Sequence, residues 1–191
     1  MIHKKLNETL LKVKPYLKLN ETINGYDYHS TQLDILENSD IKYHIYSLQN
    51  QIDSSDLYYE NGQFGLETDS HITVCYGLVY ETDYFKLRRL VKNFGSIDVQ
   101  YGAVSKFVSD NYDVIKIDII SDKLHELNSL IRNNFEVKTS FPDYQPHMTI
   151  AYVQPNSCDY LLNKPILDVQ ETFDSMVWSH IDNYKLNIPL I

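Results

Sequence analysis

The hexapeptide His71-Ile72-Thr73-Val74-Cys75-Tyr76 occurs again in the chain, with the same residue pattern, as His147-Met148-Thr149-Ile150-Ala151-Tyr152. Each copy runs His, apolar, Thr, apolar, small, Tyr, inside a segment rich in β-branched and aromatic residues. Alternation of this kind predicts a strand with one buried face. Successive side chains point to opposite faces, so the His, the Thr and the small residue are predicted to share one face, with the Tyr on the other.

Two copies of one unit form an internal repeat, which a chance His-x-Thr match does not produce. A third match, His29-Ser30-Thr31, lacks the alternating apolar frame and is predicted to be a loop or a helix start. For either strand alone, a half-buried structural histidine is an equally good interpretation. For the two strands together, a shared function is the better one.

These residues resemble the 2H phosphoesterase superfamily, also called LigT-like or 2′,5′ RNA ligase-like, whose signature is two His-x-Thr strands half a domain apart. The flanks Gly65-Leu66-Glu67, Tyr76-Gly77-Leu78 and Pro146-His147 resemble bacteriophage members such as the anti-CBASS cyclic-oligonucleotide phosphodiesterases. The resemblance runs from about Lys42 to Ile188. It implies an α+β, bilobal fold: two pseudo-twofold related lobes of antiparallel sheet plus helices around a central cleft.

Composition agrees with one globular domain. The 191 residues are 43% hydrophobic and 23% charged, so residues 1–191 are expected to form a single domain, with residues 1–40 as an N-terminal extension of uncertain role. The chain has no apolar run long enough to span a membrane and no export signal, and its two cysteines are a poor basis for disulfides, so a cytoplasmic protein is expected.

Periodicity predicts the remaining elements. Helices are expected at 2–14, around 31–36, at 82–94 and at 122–135; strands are expected at 41–48, 97–108, 112–120, 169–180 and 184–188. Residues 50–69 are expected to be a long connector, with an Asn61-Gly62 turn that could close a hairpin. The N-terminal lysines are expected to lie on a solvated helix face. A turn is expected at Asn24-Gly25, and a loop at 141–146 ahead of the second motif.

The chemistry follows from the paired motifs. Of the two imidazoles, His71 and His147, the neutral one can accept a proton from a nucleophilic hydroxyl while the protonated one donates to the leaving oxygen. The Thr73 and Thr149 hydroxyls can donate to phosphate oxygens. No cofactor is expected, and no metal, since no metal-ligand motif accompanies the histidines. A Cys75 nucleophile is equally disfavoured, because its counterpart Ala151 has no thiol.

The expected partner is a small nucleotide, with Tyr144 and Trp178 as candidate base-stacking residues. Within the resembled family the substrate could be a 2′,3′-cyclic phosphate end, a 2′,5′-linked oligonucleotide or a small cyclic oligonucleotide, and the flanks favour the last. A non-catalytic nucleotide-binding module is the alternative of another class. A formal net charge of −9 argues against long nucleic acid. The sequence does not indicate an oligomeric state.

Overall fold

The computed structural model describes residues 28–139, 143–166 and 169–191, which contain ten strands and three α-helices. The strands are β1 (His29–Asp34), β2 (Tyr59–Glu60), β3 (Gln63–Phe64), β4 (His71–Leu78), β5 (Ile97–Phe107), β6 (Asp113–Ile120), β7 (His147–Val153), β8 (Gln170–Phe173), β9 (Ser175–Ser179) and β10 (Lys185–Pro189). The helices are α1 (Asp40–Gln49), α2 (Tyr84–Val91) and α3 (Asp122–Asn134). The predictions for the 2–14 helix, the N-terminal lysines, the Asn24-Gly25 turn and the first residues of the 141–146 loop lie outside the described residues.

Eight of these strands form one antiparallel sheet, in the order β10-β9-β1-β4-β7-β6-β5-β8. Both His-x-Thr motifs lie on its two central strands, β4 and β7. The order divides the sheet into two halves of four strands, one ending at β4 and the other beginning at β7. The predicted α+β fold with two related lobes is therefore confirmed, and the lobes are the halves of a single sheet.

The halves meet through a narrow junction. Ile72 and Met148 are the paired residues between β4 and β7. Beyond that point each strand turns to another partner: Leu66 bridges to Ala151 on β7, and Val137 bridges to Leu78 on β4. The central strands consequently diverge on either side of one contact, which opens a cleft between the lobes.

Each lobe uses the same unit of strand, helix and His-x-Thr strand. In the first lobe the unit is β1-α1-β4, and in the second it is β6-α3-β7. The helices are exchanged between the lobes, because α1 packs against β7 and α3 packs against β4. Buried side chains of the helices and of one sheet face form a single hydrophobic core. The opposite face of the sheet, which we call the open face, carries the half-buried His and Thr side chains.

Three predictions near the N-terminus are wrong. His29-Ser30-Thr31 begins the interior strand β1, which continues to Asp34 where a helix around 31–36 was expected. Residues 41–48, expected to be a strand, belong to helix α1, whose buried Ile41, Ile45 and Leu48 follow helical spacing. Because β1 falls within residues 1–40, part of the expected extension is an integral strand of the sheet.

The C-terminal elements also differ from the prediction. The strand expected at 169–180 is broken at Asp174 into β8, which pairs with β5, and β9, which pairs with β1. These partners lie in opposite halves of the sheet, although a single residue separates β8 from β9. The sheet must therefore curl until its two outer regions are close together. The predicted 97–108 and 112–120 strands, the 82–94 and 122–135 helices and the Asn61-Gly62 hairpin are confirmed, with small shifts at their ends.

We predict that Gly77→Ala lowers the free energy of unfolding by roughly 2–5 kcal/mol, from positive-φ strain plus a clash. Gly77 has φ +96°, and a Cβ there would lie 2.1 Å from the Lys138 carbonyl oxygen. Gly62→Ala is the matched control, because Gly62 has φ +76° and open space around it, so only the strain of about 1–2 kcal/mol remains. Denaturant unfolding measures both, and equal losses would show that the contact between β4 and Lys138 is not tight.

Candidate active site

A β-bulge follows the threonine in both central strands. In the first lobe Gln32 pairs with Thr73 but Thr31 pairs with Cys75, so Val74 has no partner position on β1. In the second, Lys116 pairs with Thr149 and Ile115 with Ala151, which skips Ile150. An extra residue in one strand shifts the alternation of the residues after it. The burial patterns agree, since two consecutive buried residues follow each threonine.

The bulges reverse the predicted direction of the last residues of each motif. Cys75 and Ala151 pair with core-facing residues and are themselves buried, so the expectation that they share a face with the histidines is wrong. Burial also raises the pKa of the Cys75 thiol to about 11, which keeps it protonated in the core. Tyr76 and Tyr152 turn instead to the open face, beside the threonines.

The two imidazoles are held in the same way. His71 Nδ1 lies 2.6 Å from the Asp69 carbonyl oxygen, and His147 Nδ1 lies 2.7 Å from that of Gln145. A carbonyl oxygen can only accept a hydrogen bond, so Nδ1 must carry the proton in both rings. Each neutral ring therefore carries its lone pair on Nε2, which is the nitrogen able to accept a proton. A carbonyl two residues upstream thus sets the tautomer of each histidine.

The register brings the four motif side chains together, as the repeat predicts. Because Ile72 pairs with Met148 in an antiparallel ladder, the flanking positions place Thr73 across from His147 and Thr149 across from His71. Directly opposite residues share a face, so the two His and two Thr side chains form a square on the open face. Burial is the largest cause that lowers the pKa of His147, and a charge on His71 is close enough to lower it further.

A second repeated pattern surrounds this square. Gln32 and Asp34 on β1 lie across from Thr73 and His71, just as Lys116 and Asp118 on β6 lie across from Thr149 and His147. The sequence carries this repeat as Thr31-Gln32-Leu33-Asp34-Ile35 and Ile115-Lys116-Ile117-Asp118-Ile119, which sequence reasoning missed. The first copy of this repeat lies in β1, where the sequence predicts a loop or a helix, so its correspondence to the second copy is not evident from the sequence.

The two lobes differ in charge beside their threonines. Gln32 Nε2 donates to Asp34 at 2.6 Å in the first lobe, whereas Lys116 Nζ in the second donates to Asp118 and, at 2.7 Å, to Ser105. Lys116 is only 5% exposed, so the surrounding side chains hold its ammonium group in one position, unlike that of a lysine on the surface. The pseudo-twofold arrangement is therefore chemically asymmetric.

His147 is packed against an aromatic ring and lies near a cation. The Phe107 ring meets the His147 ring edge to face with centroids 4.9 Å apart, and Lys116 Nζ lies 4.4 Å from the centre of the same phenyl ring. Burial lowers the pKa of His147, and repulsion by Lys116 and His71 lowers it further, against the opposing effect of the Gln145 carbonyl. The neutral imidazole is consequently favoured at this position.

The two residues predicted to stack on a base have other surroundings. Trp178 is 1% exposed, pairs with core-facing Thr31 and packs against His29, so its indole belongs to the core and the expectation that it binds substrate is wrong. The Tyr144 hydroxyl donates to the Thr73 carbonyl oxygen at 2.8 Å, and burial raises its pKa. Tyr144 therefore ties the chain ahead of β7 to β4, and its proposed contact with substrate stays a prediction.

Two buried amide side chains reach the bulges from the opposite lobes. Asn128 on α3 donates from Nδ2 to the Val74 carbonyl oxygen at 2.7 Å. Gln49 on α1 donates from Nε2 to the Ile150 carbonyl oxygen at 3.0 Å. Val74 and Ile150 are the bulged residues themselves, so each exchanged helix supplies a hydrogen bond where the sheet ladder is interrupted. Neither amide carries a sequence pattern that predicts this role.

A cavity of about 430 Å³ lies elsewhere, around α3 and Tyr144, and no motif His or Thr lines it. The candidate site is thus the open face itself and not this cavity. Across the described ranges, no group of three or more His, Cys, Asp or Glu side chains could hold a metal ion. No helix in the same ranges is long and apolar enough to cross a membrane.

We predict that Asn128→Ala lowers the free energy of unfolding by about 1–3 kcal/mol, because it removes a donor from a buried carbonyl. Asn134→Ala is the matched control on the same helix, since its amide donates to the Leu130 carbonyl at an exposed position. Asn134→Ala should change the free energy of unfolding by no more than about 0.5 kcal/mol. Denaturant unfolding of both variants is the measurement, and similar small losses would mean that the buried amide does not support the bulge.

Comparison with known proteins shows which family the chain resembles. The family model described as the 2′-5′ RNA ligase superfamily matches residues 47–176, which include both His-x-Thr strands. No curated protein matches the chain by sequence.

Solved structures share the fold at low sequence identity. TT0787 of Thermus thermophilus is similar with a TM-score of 0.58 and 11% identity, covering 86% of this chain and 95% of that one. Usb1 of Kluyveromyces marxianus has a TM-score of 0.57 and 9% identity, with coverages of 87% and 99%. E. coli LigT, complexed with 3′-AMP, has a TM-score of 0.57 and 12% identity, with coverages of 86% and 95%. The matched family model and the duplicated His-x-Thr geometry together show that this chain belongs to the 2′-5′ RNA ligase superfamily of 2H phosphoesterases.

Proposed function

We propose that the chain is a metal-independent phosphodiesterase that cleaves a small ribonucleotide, with a cyclic oligonucleotide as the favoured substrate, by acid-base catalysis with His71 and His147. Membership of the superfamily supports phosphoesterase activity in general. The observation that carries the finer proposal is the square of two His and two Thr side chains, with both Nδ1 atoms engaged by carbonyls.

The square suits in-line displacement at phosphorus. For a 3′,5′-linked ribonucleotide, the 2′-oxygen forms a bond to phosphorus as a neutral imidazole Nε2 takes the hydroxyl proton. The bond from phosphorus to the 5′-oxygen breaks, and the protonated imidazole on the other side donates its Nε2 proton to that oxygen. Hydroxyl donation from Thr73 and Thr149 stabilises the negative charge on the non-bridging oxygens. The products are a 2′,3′-cyclic phosphate and a free 5′-hydroxyl.

The charge asymmetry supports an assignment of the two roles. Burial lowers the pKa of the His147 ring, and the cation of Lys116, which lies in the same lobe, also opposes an imidazolium there. His147 is therefore the general base and His71 the general acid. Lys116 adds positive potential beside Thr149, where a phosphate oxygen would lie.

Charge and size favour a small substrate. The chain has 17 Lys and Arg against 26 Asp and Glu, whereas proteins that track long nucleic acid neutralise many phosphates with cations. A small cyclic oligonucleotide of the kind used as a signal in antiphage defence needs only local contacts. A 2′,3′-cyclic phosphate end and a 2′,5′-linked oligonucleotide are the competing substrates. A module that binds a nucleotide without cleaving it would have no need for two proton-transfer groups.

We predict that His71→Ala or His147→Ala lowers turnover by roughly 10²–10⁴-fold while the fold persists. The double variant should be little worse than either single one, because the two groups act as a unit. His44→Ala on α1 is the control and should leave the rate unchanged. Chromatography of the products formed from a panel of cyclic and linear oligoribonucleotides, in EDTA, gives the rates.

Several outcomes of that experiment separate the alternatives. Near-normal turnover by one His variant would remove that residue from the mechanism, and loss of activity in EDTA would contradict metal independence. Cleavage of a matched 2′-deoxy substrate at a comparable rate would make water the nucleophile. Binding of every nucleotide without turnover by the unmodified protein would favour the sequestering module.

We predict that Lys116→Met moves the acid limb of the kcat/KM pH profile to higher pH. A general base works only when deprotonated, so activity falls as the pH drops through the pKa of His147, which lies below the ordinary 6.5. Removing the Lys116 cation ends one repulsion and leaves the Asp118 carboxylate to favour the imidazolium, so both effects raise that pKa. Lys92→Met, at an exposed position after α2, is the control. An unshifted acid limb in Lys116→Met would reject His147 as the base.

A further inference from the structure

Tyr76 and Tyr152 lie at opposite ends of the His-Thr square. Each follows a motif threonine by three residues, or about 10 Å of strand. The bulges turn both side chains to the open face, and Tyr76 is 39% exposed. Because β4 and β7 are antiparallel, moving from Thr73 to Tyr76 and from Thr149 to Tyr152 leads in opposite directions from the centre.

A second tyrosine meets each of these rings. Tyr28 and Tyr76 have centroids 6.1 Å apart and planes at 87°, and Tyr112 and Tyr152 have centroids 5.7 Å apart and planes at 71°. Tyr28 immediately precedes β1 and Tyr112 immediately precedes β6, the corresponding strands of the two lobes. The pseudo-twofold arrangement therefore places one tyrosine pair on each side of the catalytic square.

The pair in the second lobe is enlarged by the β2–β3 hairpin. Phe64 contacts both of its rings, with centroids 5.0 Å from Tyr152 and 5.2 Å from Tyr112, and Tyr58 lies 5.1 Å from Tyr112. Phe64 has φ +73°, a conformation that a bulky side chain rarely adopts. Such strain persists only where surrounding contacts enforce it. The hairpin is thus bent so that its phenyl ring joins the aromatic surface.

Building on the proposed function, we propose that the two tyrosine pairs bind nucleobases on either side of the scissile phosphate, so that the substrate carries one nucleoside on each bridging oxygen. Aromatic rings bind any base through its π-face, which supplies affinity without base selectivity. A phosphate centred on the His-Thr square would have one base directed toward Tyr76 and the other toward Tyr152. This geometry fits an internal linkage of a linear or cyclic dinucleotide unit. A 2′,3′-cyclic mononucleotide would occupy one pair and leave the other empty.

Binding to a protein that does not cleave isolates this proposal from the proposed chemistry. In the His71→Ala background, titration calorimetry with a linear and a cyclic diribonucleotide should show that Tyr76→Leu and Tyr152→Leu each weaken the affinity about 5- to 150-fold. Tyr152→Leu should have the larger effect, because its pair is extended by Phe64. Tyr76→Phe and Tyr152→Phe keep the ring and should bind normally. Tyr43→Leu, on the exposed surface of α1, is the control.

A second measurement needs no tyrosine variant and covers the case in which one fails to fold. Nitration of the His71→Ala protein, mapped by mass spectrometry, should show protection of both tyrosine pairs by a diribonucleotide. A 2′,3′-cyclic mononucleotide should protect a single pair.

The outcomes of the two proposals are distinct. Unchanged affinity in both Leu variants, or protection of neither pair, would overturn the base-binding proposal even if the histidine variants abolish turnover. Conversely, tyrosine-dependent binding by a protein that cleaves none of the panel would support the base sites and reject the phosphodiesterase. If the diribonucleotide and the mononucleotide both protect the same single tyrosine pair, the protein has only one base-binding site. That result would reject the two-sided arrangement.

Discussion

A β-bulge after each His-x-Thr unit sets which of the following side chains reach the open face and which enter the core. A strand that alternated without interruption would place Tyr76 and Tyr152 in the core and would turn Cys75 and Ala151 to the open face. One extra residue, Val74 in one strand and Ile150 in the other, reverses those directions. The residues that enter the core after the bulge are small. The residues that leave it are tyrosines, whose hydroxyl tolerates contact with water.

Each bulge is stabilised by a side chain from the opposite lobe, and these contacts join the two halves of the molecule at the candidate site. Sheet contact between β4 and β7 centres on Ile72 and Met148, so the ladder alone holds the lobes weakly. The exchanged helices add the Asn128 and Gln49 hydrogen bonds at the bulged residues. Buried polar groups of this kind favour one arrangement, because any shift leaves a donor or an acceptor without a partner. The relative position of the two histidines is therefore linked to helix packing on the far side of the sheet.

Symmetry of the backbone and asymmetry of the charges have separate consequences. The duplicated unit supplies two equivalent imidazoles, each with Nδ1 hydrogen-bonded to a carbonyl oxygen and the lone pair on Nε2. The proposed acid-base catalysis needs one neutral and one protonated imidazole, and an exact twofold would leave either histidine equally able to be the base. Lys116 in place of Gln32 breaks the equivalence, since a buried cation disfavours a second positive charge nearby. This difference between the repeats supports the proposed division of roles.

Local periodicity and motif spacing are enough to predict the repeat, the two His-x-Thr strands, helices α2 and α3 and the α+β class. They misassign β1 and α1, where short segments mix polar and apolar residues and tertiary packing decides the outcome. The directions of Tyr76 and Tyr152 could not be predicted in this way, since a bulge is defined by the register of two paired strands and not by either one alone. The burial of Trp178 against His29 and the amide bonds to the bulges likewise join residues far apart in the chain. Long-range pairing of this kind is set by the packing of the whole core, which local sequence does not encode.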